Sequence, residues 1–342
     1  MHELLDSADR EICAALLRNG RASWRLIAQV TGMQERTVAR RGVRLLEQGL
    51  VHVRALSQPL LSDRGIGQFA RLQCRPADLA RVASWFARRP ETLWVATLAD
   101  ESAVVSECYL RDEERAGFIE HELARQPITG YSFDYLGRYR RTVRGWHPNI
   151  LTAEQLEQLG ENETRALRAS RQIETASATL PDETDREIVR LLSADGRLSI
   201  DAIAAEVGIA KPTVRRRVQQ LQQTDNLSIR AVIDPALLGF PIEASLVVEA
   251  PISRLDEVAT ILAEDWRTRW AAEAPGSRKV HALLTLESHF ELHDTLRRLD
   301  QRLAGIATQV SASPILTHYK RSDVVLPTHE AARAETGERG RP

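Results

Sequence analysis

The sequence predicts an α+β chain built twice over, each copy a three-helix unit followed by a βαββαβ unit. Three observations predict it. Shifted by 176 residues, the chain matches itself without a gap, with 20 identities over the 54 positions from Asp6 to Pro59. Each copy then opens with three short apolar-periodic segments punctuated by glycine. Each continues with alternating and helical stretches in the order βαββαβ, the split pattern of ferredoxin-like sheets. Solenoid repeats are far shorter than this period, so the architecture is unit, connector, unit.

The second copy shows the local grammar most clearly. Ile188, Leu191 and Leu192 stand at i, i+3, i+4 and define one helix face. Gly196 ends that helix, and Ser199 caps the next, which buries Ile203, Ala204 and Val207 before Gly208 closes it. Pro212 falls in the first turn of a third helix, where a missing N–H costs little. That helix carries an apolar stripe of Val214, Val218 and Leu221, and "LSIRAVI" (227–233) then alternates as a strand. Three helices and a β-ribbon make a winged helix-turn-helix plan. The first copy follows through Ile12, Ala15, Leu16, Ile27, Val38 and Leu45.

The βαββαβ unit of the first copy reads as 68–74, 77–89, 92–98, 103–110, 112–125 and 131–140. In the second copy the strands are 244–249, 267–274, 280–287 and 306–319, with helices 255–264 and 289–303. The expected domains are therefore winged helix-turn-helix 1–62, ferredoxin-like 63–144, a linker with a short capped helix 145–180, winged helix-turn-helix 181–240, ferredoxin-like 241–322 and a disordered tail 323–342.

Composition narrows the class. The 342 residues carry a formal charge of −1, with 43% hydrophobic and 27% charged residues, as in ordinary globular chains. A near-neutral total argues against a nucleic-acid coat protein yet leaves room for local basic surfaces. No apolar run reaches a membrane span and the N-terminus is polar, so a cytoplasmic protein without membrane contact is expected. Cys13, Cys74 and Cys108 follow no metal or disulfide spacing. Cys74 and Cys108 read as small buried hydrophobes on neighbouring strands. His289 and His293 in "HFELH" lack a third metal ligand. No phosphate loop or catalytic triad motif occurs, so no catalytic residue, metal or cofactor is expected.

The third helices concentrate positive charge. With Val38 at the centre of the buried face, Arg36, Arg40 and Arg44 point outward and Thr37 lies at the flank. The matching outward positions of the second copy hold Pro212, Arg216 and Gln220, with Thr213, Arg215 and Arg217 between faces and Lys211 at the helix start. Arg40 and Arg216 are the matched outward pair. An outward arginine on such a helix suits bidentate hydrogen bonds to guanine, or a phosphate. Thr37 and Thr213 suit a phosphate or a thymine methyl group, and Arg54 and Arg230, on the expected wings, suit the DNA backbone. Arg41 and Arg217 sit at the stripe's edge, equally placed for DNA or for ion pairs with Asp9 and Asp185. Gly42, where the second copy has Val218, leaves a smaller core and predicts a less stable first head.

"DETDREIVRLLSADGRLSIDAIAAEVGIAKPTVRRRVQQL", followed by "IRAVIDPALLGF", resembles the DNA-binding half of the Lrp/AsnC (feast/famine) regulators, in a tandem, fused form. The resemblance covers both units. It implies a transcription regulator that binds double-stranded DNA as an intrachain pseudo-dimer, with further homo-oligomers and a small-molecule effector between sensing domains. In place of the family's Gly-x-Tyr-Asp-like turn the copies have Asp100, Glu101, Ser102, Ala103 and Gly276, Ser277, Arg278, Lys279. Asp100, Ser102, Gly276, Ser277, Arg278 and Lys279 are thus the effector candidates, for a small metabolite, an amino acid or a related anion, and Arg278 and Lys279 suit a carboxylate or another anion. The alternatives are a sirohaem-decarboxylase-like enzyme, whose "HNY…NLWFT"-like stretch is reduced here to Trp94 and His281, and a sequence-tolerant architectural DNA-binding protein.

Overall fold

A computed structural model describes residues 5–57, 65–160, 182–223 and 227–326. The expected connector beyond Gly160 and the tail beyond Leu326 lie outside the described residues. Each copy begins with the three expected helices. Asp6 caps α1 (Ser7–Arg18) and Ser23 caps α2 (Trp24–Thr31). Gly32 then turns the chain at φ +73° into α3 (Glu35–Glu47), a left-handed conformation that glycine adopts at no steric cost. In the second copy Asp182 caps α7 (Glu183–Ala194), Ser199 caps α8 (Ile200–Val207) and Gly208, at φ +74°, precedes α9 (Lys211–Gln223). Ile12, Leu16, Ile27, Val38 and Leu45 are fully buried, as the helical spacing requires.

The smaller core expected around Gly42 does not form. Trp24 lies over the glycine, so that a Cβ there would stand 2.4 Å from the ring atom Cζ3. The second head has Ile200 and Val218 at the same two positions. A large–small pair in one head replaces a medium–medium pair in the other and fills similar space. Gly42→Ala should therefore destabilise by roughly 1–3 kcal/mol through overpacking, despite alanine's better helix propensity. The double change Trp24→Ile/Gly42→Val should recover that loss, read as coupling in a thermal double-mutant cycle.

The strand after each third helix does not fold back as a wing of its own head. Instead β1 (Val51–Ser57) pairs antiparallel with β7 (Leu227–Ile233) of the other copy, from Val51↔Ile233 to Ser57↔Leu227. Each strand completes the other copy's core. Ala231, Ile233, Leu237, Leu238 and Phe240 join the first head, whereas Val53 and Ala55 join the second. The two heads share one hydrophobic ribbon.

The remaining strands form one continuous path, β5–β2–β4–β3–β11–β8–β10–β9–β6. In the first copy β2 (Ile66–Cys74), α4 (Leu79–Ala87), β3 (Thr92–Leu98), β4 (Ala103–Leu110), α5 (Asp112–Gly117) and β5 (Ile128–Tyr135) follow the predicted order. The helix expected over 112–125 widens after α5 into a π turn over Phe118–Glu122 and then tightens into a 3-10 turn over Leu123–Arg125. The last expected strand breaks in two, and β6 (Arg138–Arg141) crosses to the edge of β9 in the other half.

The second copy supplies β8 (Ile242–Glu249), α10 (Leu255–Glu264), β9 (Thr268–Ala274), β10 (Lys279–Leu286), α11 (His289–Leu303) and β11 (Gln309–Arg321). The first half of β11 pairs with β8 and its second half with β3, so it bridges the halves as β5 and β6 do. Residues Val324–Val325, expected in the tail, add a short strand, β12, to its end.

The inner faces of the two half-sheets pack on each other, and the helices cover the outer faces. Phe69, Trp94, Leu136, Tyr139, Trp270 and Leu283 fill the space between. Trp94 and Trp270, equivalent residues of the two copies, meet edge to face at 6.2 Å, a favoured aromatic geometry. Glu107 is buried among them, accepting from Trp94 Nε1 at 3.1 Å and Tyr109 Oη at 2.5 Å, and burial pushes its carboxyl above the usual range. Cys74 and Cys108 are buried with free thiols. Cys74 stands at the Ser102 end of the β2–β4 pair and Cys108 opposite Gln68, so they are ends of a ladder and not disulfide partners. His289 and His293 are exposed on α11, and no group of three metal-ligating side chains occurs among the described residues. No described helix is long and apolar enough to cross a membrane.

Candidate nucleic-acid interface

The third helices expose the face that the helical arithmetic assigns to them. Val38 and Leu45 of α3, and Val214, Val218 and Leu221 of α9, point into their cores. Arg36, Arg40 and Arg44 of α3, and Lys211, Arg215 and Arg216 of α9, are exposed, whereas Thr37 and Thr213 are half-buried at the flanks. The structure sorts these cations by what they touch.

Arg41 and Arg217 are held within their own heads. Arg41 donates to Asp6 at 2.7 Å and Asp9 at 3.0 Å; Arg217 donates to Asp182 at 2.7 Å and Asp185 at 2.8 Å. Asp6 and Asp182 also accept the backbone N–H three residues on, which caps the first helix. That backbone bond and the guanidinium hold both carboxyls below the usual carboxylate range. A helix cap and an ion pair thus fix the third helix to the first in each head, and of the two roles expected for Arg41 and Arg217 this geometry displays the ion-pairing one. Arg44 also bridges to Asp9, which its outward projection did not anticipate. Lys211 pairs with Asp201 at 2.7 Å. Among the described residues Arg36, Arg40, Arg215 and Arg216 are exposed and form no ion pair, and Arg40 and Arg216 alone of these are equivalent.

Arg54 and Arg230 were expected on free wings, and this is corrected. They face each other in the β1–β7 register. Arg54 donates to the Ser193 carbonyl at 3.1 Å. Arg230 is 3% exposed and donates to the carbonyls of Val143 and Trp146. Strands that pair across the copies leave these side chains inside the dimer-like joint.

Two arginines that sequence reasoning missed build that joint. Arg21 reaches across to the carbonyls of Gly196 at 2.9 Å and Leu198 at 3.0 Å. Arg197 reciprocates, donating to Gly20 at 2.8 Å and Ala22 at 3.3 Å, and lies 4.3 Å over the Trp24 ring. Gly20 and Gly196 allow the approach, since a Cβ on either would meet the ribbon backbone within 2.9 Å. The repeated Gly-Arg-x-Ser was visible as an identity. Its role was not, because each arginine acts on the other copy.

The expected effector turns are occupied differently in the two copies. In the first, Asp100 is exposed and Ser102 gives its carbonyl to the Cys74 N–H at 3.1 Å. In the second, Ser277 and Lys279 face Asp134 of the first copy, Lys279 at 3.9 Å, and Arg278 holds a left-handed φ of +57°. Gly276 has open space beside it. His281 bonds the same Asp134 at 2.8 Å and stacks on Phe69 at 4.0 Å.

Two helix-turn-helix heads joined by a shared ribbon above paired ferredoxin-like sheets define a tandem protein of the helix-turn-helix regulator class. The AsnC-type helix-turn-helix domain matches residues 5–46 and 182–222. An uncharacterized HTH-type transcriptional regulator of Pyrococcus furiosus is 30% identical over 141 residues, 41% of this chain and 94% of that protein. The HTH-type transcriptional regulator AldR of Mycobacterium tuberculosis is 33% identical over 112 residues, 32% of this chain and 60% of that protein. The chain belongs to the Lrp/AsnC family, with two family units in one polypeptide. Among solved structures, the siroheme decarboxylase NirDL shares the fold along nearly the whole length, at a TM-score of 0.60 and 13% identity over 97% of this chain and 98% of that one.

Proposed function

We propose that this protein is a cytoplasmic transcription regulator that reads an asymmetric DNA site with α3 and α9. In this reading it carries out no catalysis. The carrying observation is the division of labour among the arginines. Arg41 and Arg217 anchor the helices internally, whereas Arg40 and Arg216 occupy the matched outward position without an ion pair among the described residues. Thr37 and Thr213 flank them for phosphate or methyl contacts. The outward faces otherwise differ: Arg25, Arg36 and Arg44 of the first head correspond to Asp201, Pro212 and Gln220 of the second. Two unlike faces favour two unlike half-sites, spaced by about one helical turn or a multiple of it.

The test is affinity for the chain's own promoter against random DNA of equal length at one salt concentration. A ratio on the order of 10³ or more supports specific reading. A ratio near one identifies a sequence-tolerant architectural protein. The sensing role, with a small anion near Gly276, Ser277, Arg278 and Lys279, rests on the resemblance and on the local positive charge. A metabolite screen in which no compound raises the melting temperature would remove it. Incubation with siroheme, followed by absorbance, tests the decarboxylase reading that the shared fold raises.

A further inference from the structure

We infer that residues 145–160 are a positioning strap that sets the orientation of the first reading head against the second sensing half, and that Trp146 is its central residue. The segment leaves β6, which already lies on the edge of β9 in the second half. Arg230 of the ribbon holds the Val143 and Trp146 carbonyls. The Trp146 ring is 1% exposed, packs edge to face with Phe240, lies beside the Arg269 guanidinium, and donates Nε1–H to the Trp266 carbonyl at 3.0 Å. Every one of these partners belongs to the second copy in sequence; Phe240, like Trp146 itself, is also part of the first head's core, whereas Trp266 and Arg269 belong to the second sensing half.

The other end of the strap enters the first head. Leu151 and Leu159 are part of its core, and Leu156 packs against it. Thr152 and Gln155 form a capping box that starts α6 (Ala153–Gln158), and Gln155 Nε2 donates to the Val30 carbonyl at 2.9 Å. Val30 is in the last turn of α2, whose carbonyls lack partners within the helix. Arg18 donates to Leu156 O at 3.2 Å and Asn19 to Leu159 O at 2.9 Å, so the C-terminal end of α1 is bound as well. His147 accepts from Arg18 at 3.2 Å; burial, with Arg230, Arg18 and Arg141 around it, holds the imidazole neutral, down to about 2. An unbroken run of contacts therefore joins the β9 edge to the ends of α1 and α2.

The second head has no such strap among the described residues. Its core draws on α7, α8, α9 and the two ribbon strands. Among the described residues, the chain after β11 meets the ribbon, where Val324 and Leu326 pack on Leu56 and Val232, and β3, where Asp323 donates its N–H to the Leu93 carbonyl at 2.8 Å. Among the described residues the two heads are thus constrained unequally: a shift at the edge of the second sensing half pulls directly on the first head through the strap, and the described path to the second head runs through the ribbon.

The experiment compares Trp146→Ala and the milder Gln155→Ala with wild type in the full chain. Amide hydrogen exchange without DNA reads the strap independently of any DNA function. Exchange over 7–31 should rise on the order of tenfold in Trp146→Ala while 183–207 stays near wild type. Gln155→Ala should produce a smaller rise confined to the same stretch. Equal acceleration in both heads, or none in the first, overturns the strap. A second arm rests on the DNA-binding reading: footprinting on the promoter site should show protection lost from one half-site and kept on the other. Equal loss from both half-sites overturns the positioning role. Failure of wild type to protect any site would instead sink the DNA-binding reading, leaving the exchange result to stand alone.

Discussion

Replacing Arg40 and Arg216 together by alanine should remove most specific DNA binding while leaving the fold intact. Both are exposed on the outward face and neither holds an ion pair among the described residues. Their loss therefore breaks no internal contact that supports the third helix, which is the work of Arg41 and Arg217. A base-reading arginine contributes about 1–3 kcal/mol, so the pair should cost roughly 2–6 kcal/mol if the contributions add. Single variants should relax the preference at different half-sites, because the surrounding residues differ. If the arginines bind phosphate, affinity falls evenly across sequences and the salt dependence weakens by about one unit for each. Wild-type affinity of the double variant for the promoter, measured by fluorescence anisotropy, would reject the assignment. Arg41→Ala should instead lower the melting temperature of the first head.

Glu243→Gln should destabilise the junction between the ribbon and the second sensing half by about 3–5 kcal/mol, the usual result of leaving buried cations uncompensated. The Glu243 carboxylate is buried and accepts from Arg321 at 2.9 Å and Arg269 at 3.2 Å, with His318 Nε2 also at 3.2 Å. Asp234, just past β7, adds a further partner for Arg321 at 3.6 Å. Burial alone would raise the Glu243 pKa, yet Arg321 and His318 outweigh it and hold the carboxyl well below its ordinary value of 4.5. A depressed folded-state pKa gives stability that is present above that ordinary value and is lost as pH falls through the folded value. Wild type should therefore lose melting temperature on acidification below pH 4.5 more steeply than Glu243→Gln. Parallel acid limbs in the two melting curves would show that the carboxylate charge is not what matters there.

The helix-turn-helix units were readable because their signals are local. Caps at Asp6, Ser23, Asp182 and Ser199, glycines at 32 and 208, and apolar spacing through Val38 and Val214 each act within a few residues. Helical arithmetic also placed Arg40 and Arg216 outward and Arg41 and Arg217 beside the first helix. It failed for Arg44, whose long side chain bends back to Asp9, and for Arg54 and Arg230, whose strands pair with each other. The packing around Gly42 is not legible from its own helix, because the ring that fills the space, Trp24, lies on another helix. The short helix near Ala153 was visible, but its docking was not: its polar outer residues and the Ser/Thr/Ala-rich stretch beyond it read as a connector.

By itself the sequence determined that the chain is a duplication, that each copy starts with a helix-turn-helix and continues as βαββαβ, and which face of each third helix looks outward. These follow from periodicity and capping, whose contacts span one or two helical turns. Only the tertiary structure decided that the ribbon joins the two copies, that β6 and β11 cross between half-sheets, and that Trp146 ties one head to the other copy. Strand edges carry no address in their own residues. Which edge a strand takes is settled by the shape and burial of partners more than 100 residues away, as in Val51 with Ile233.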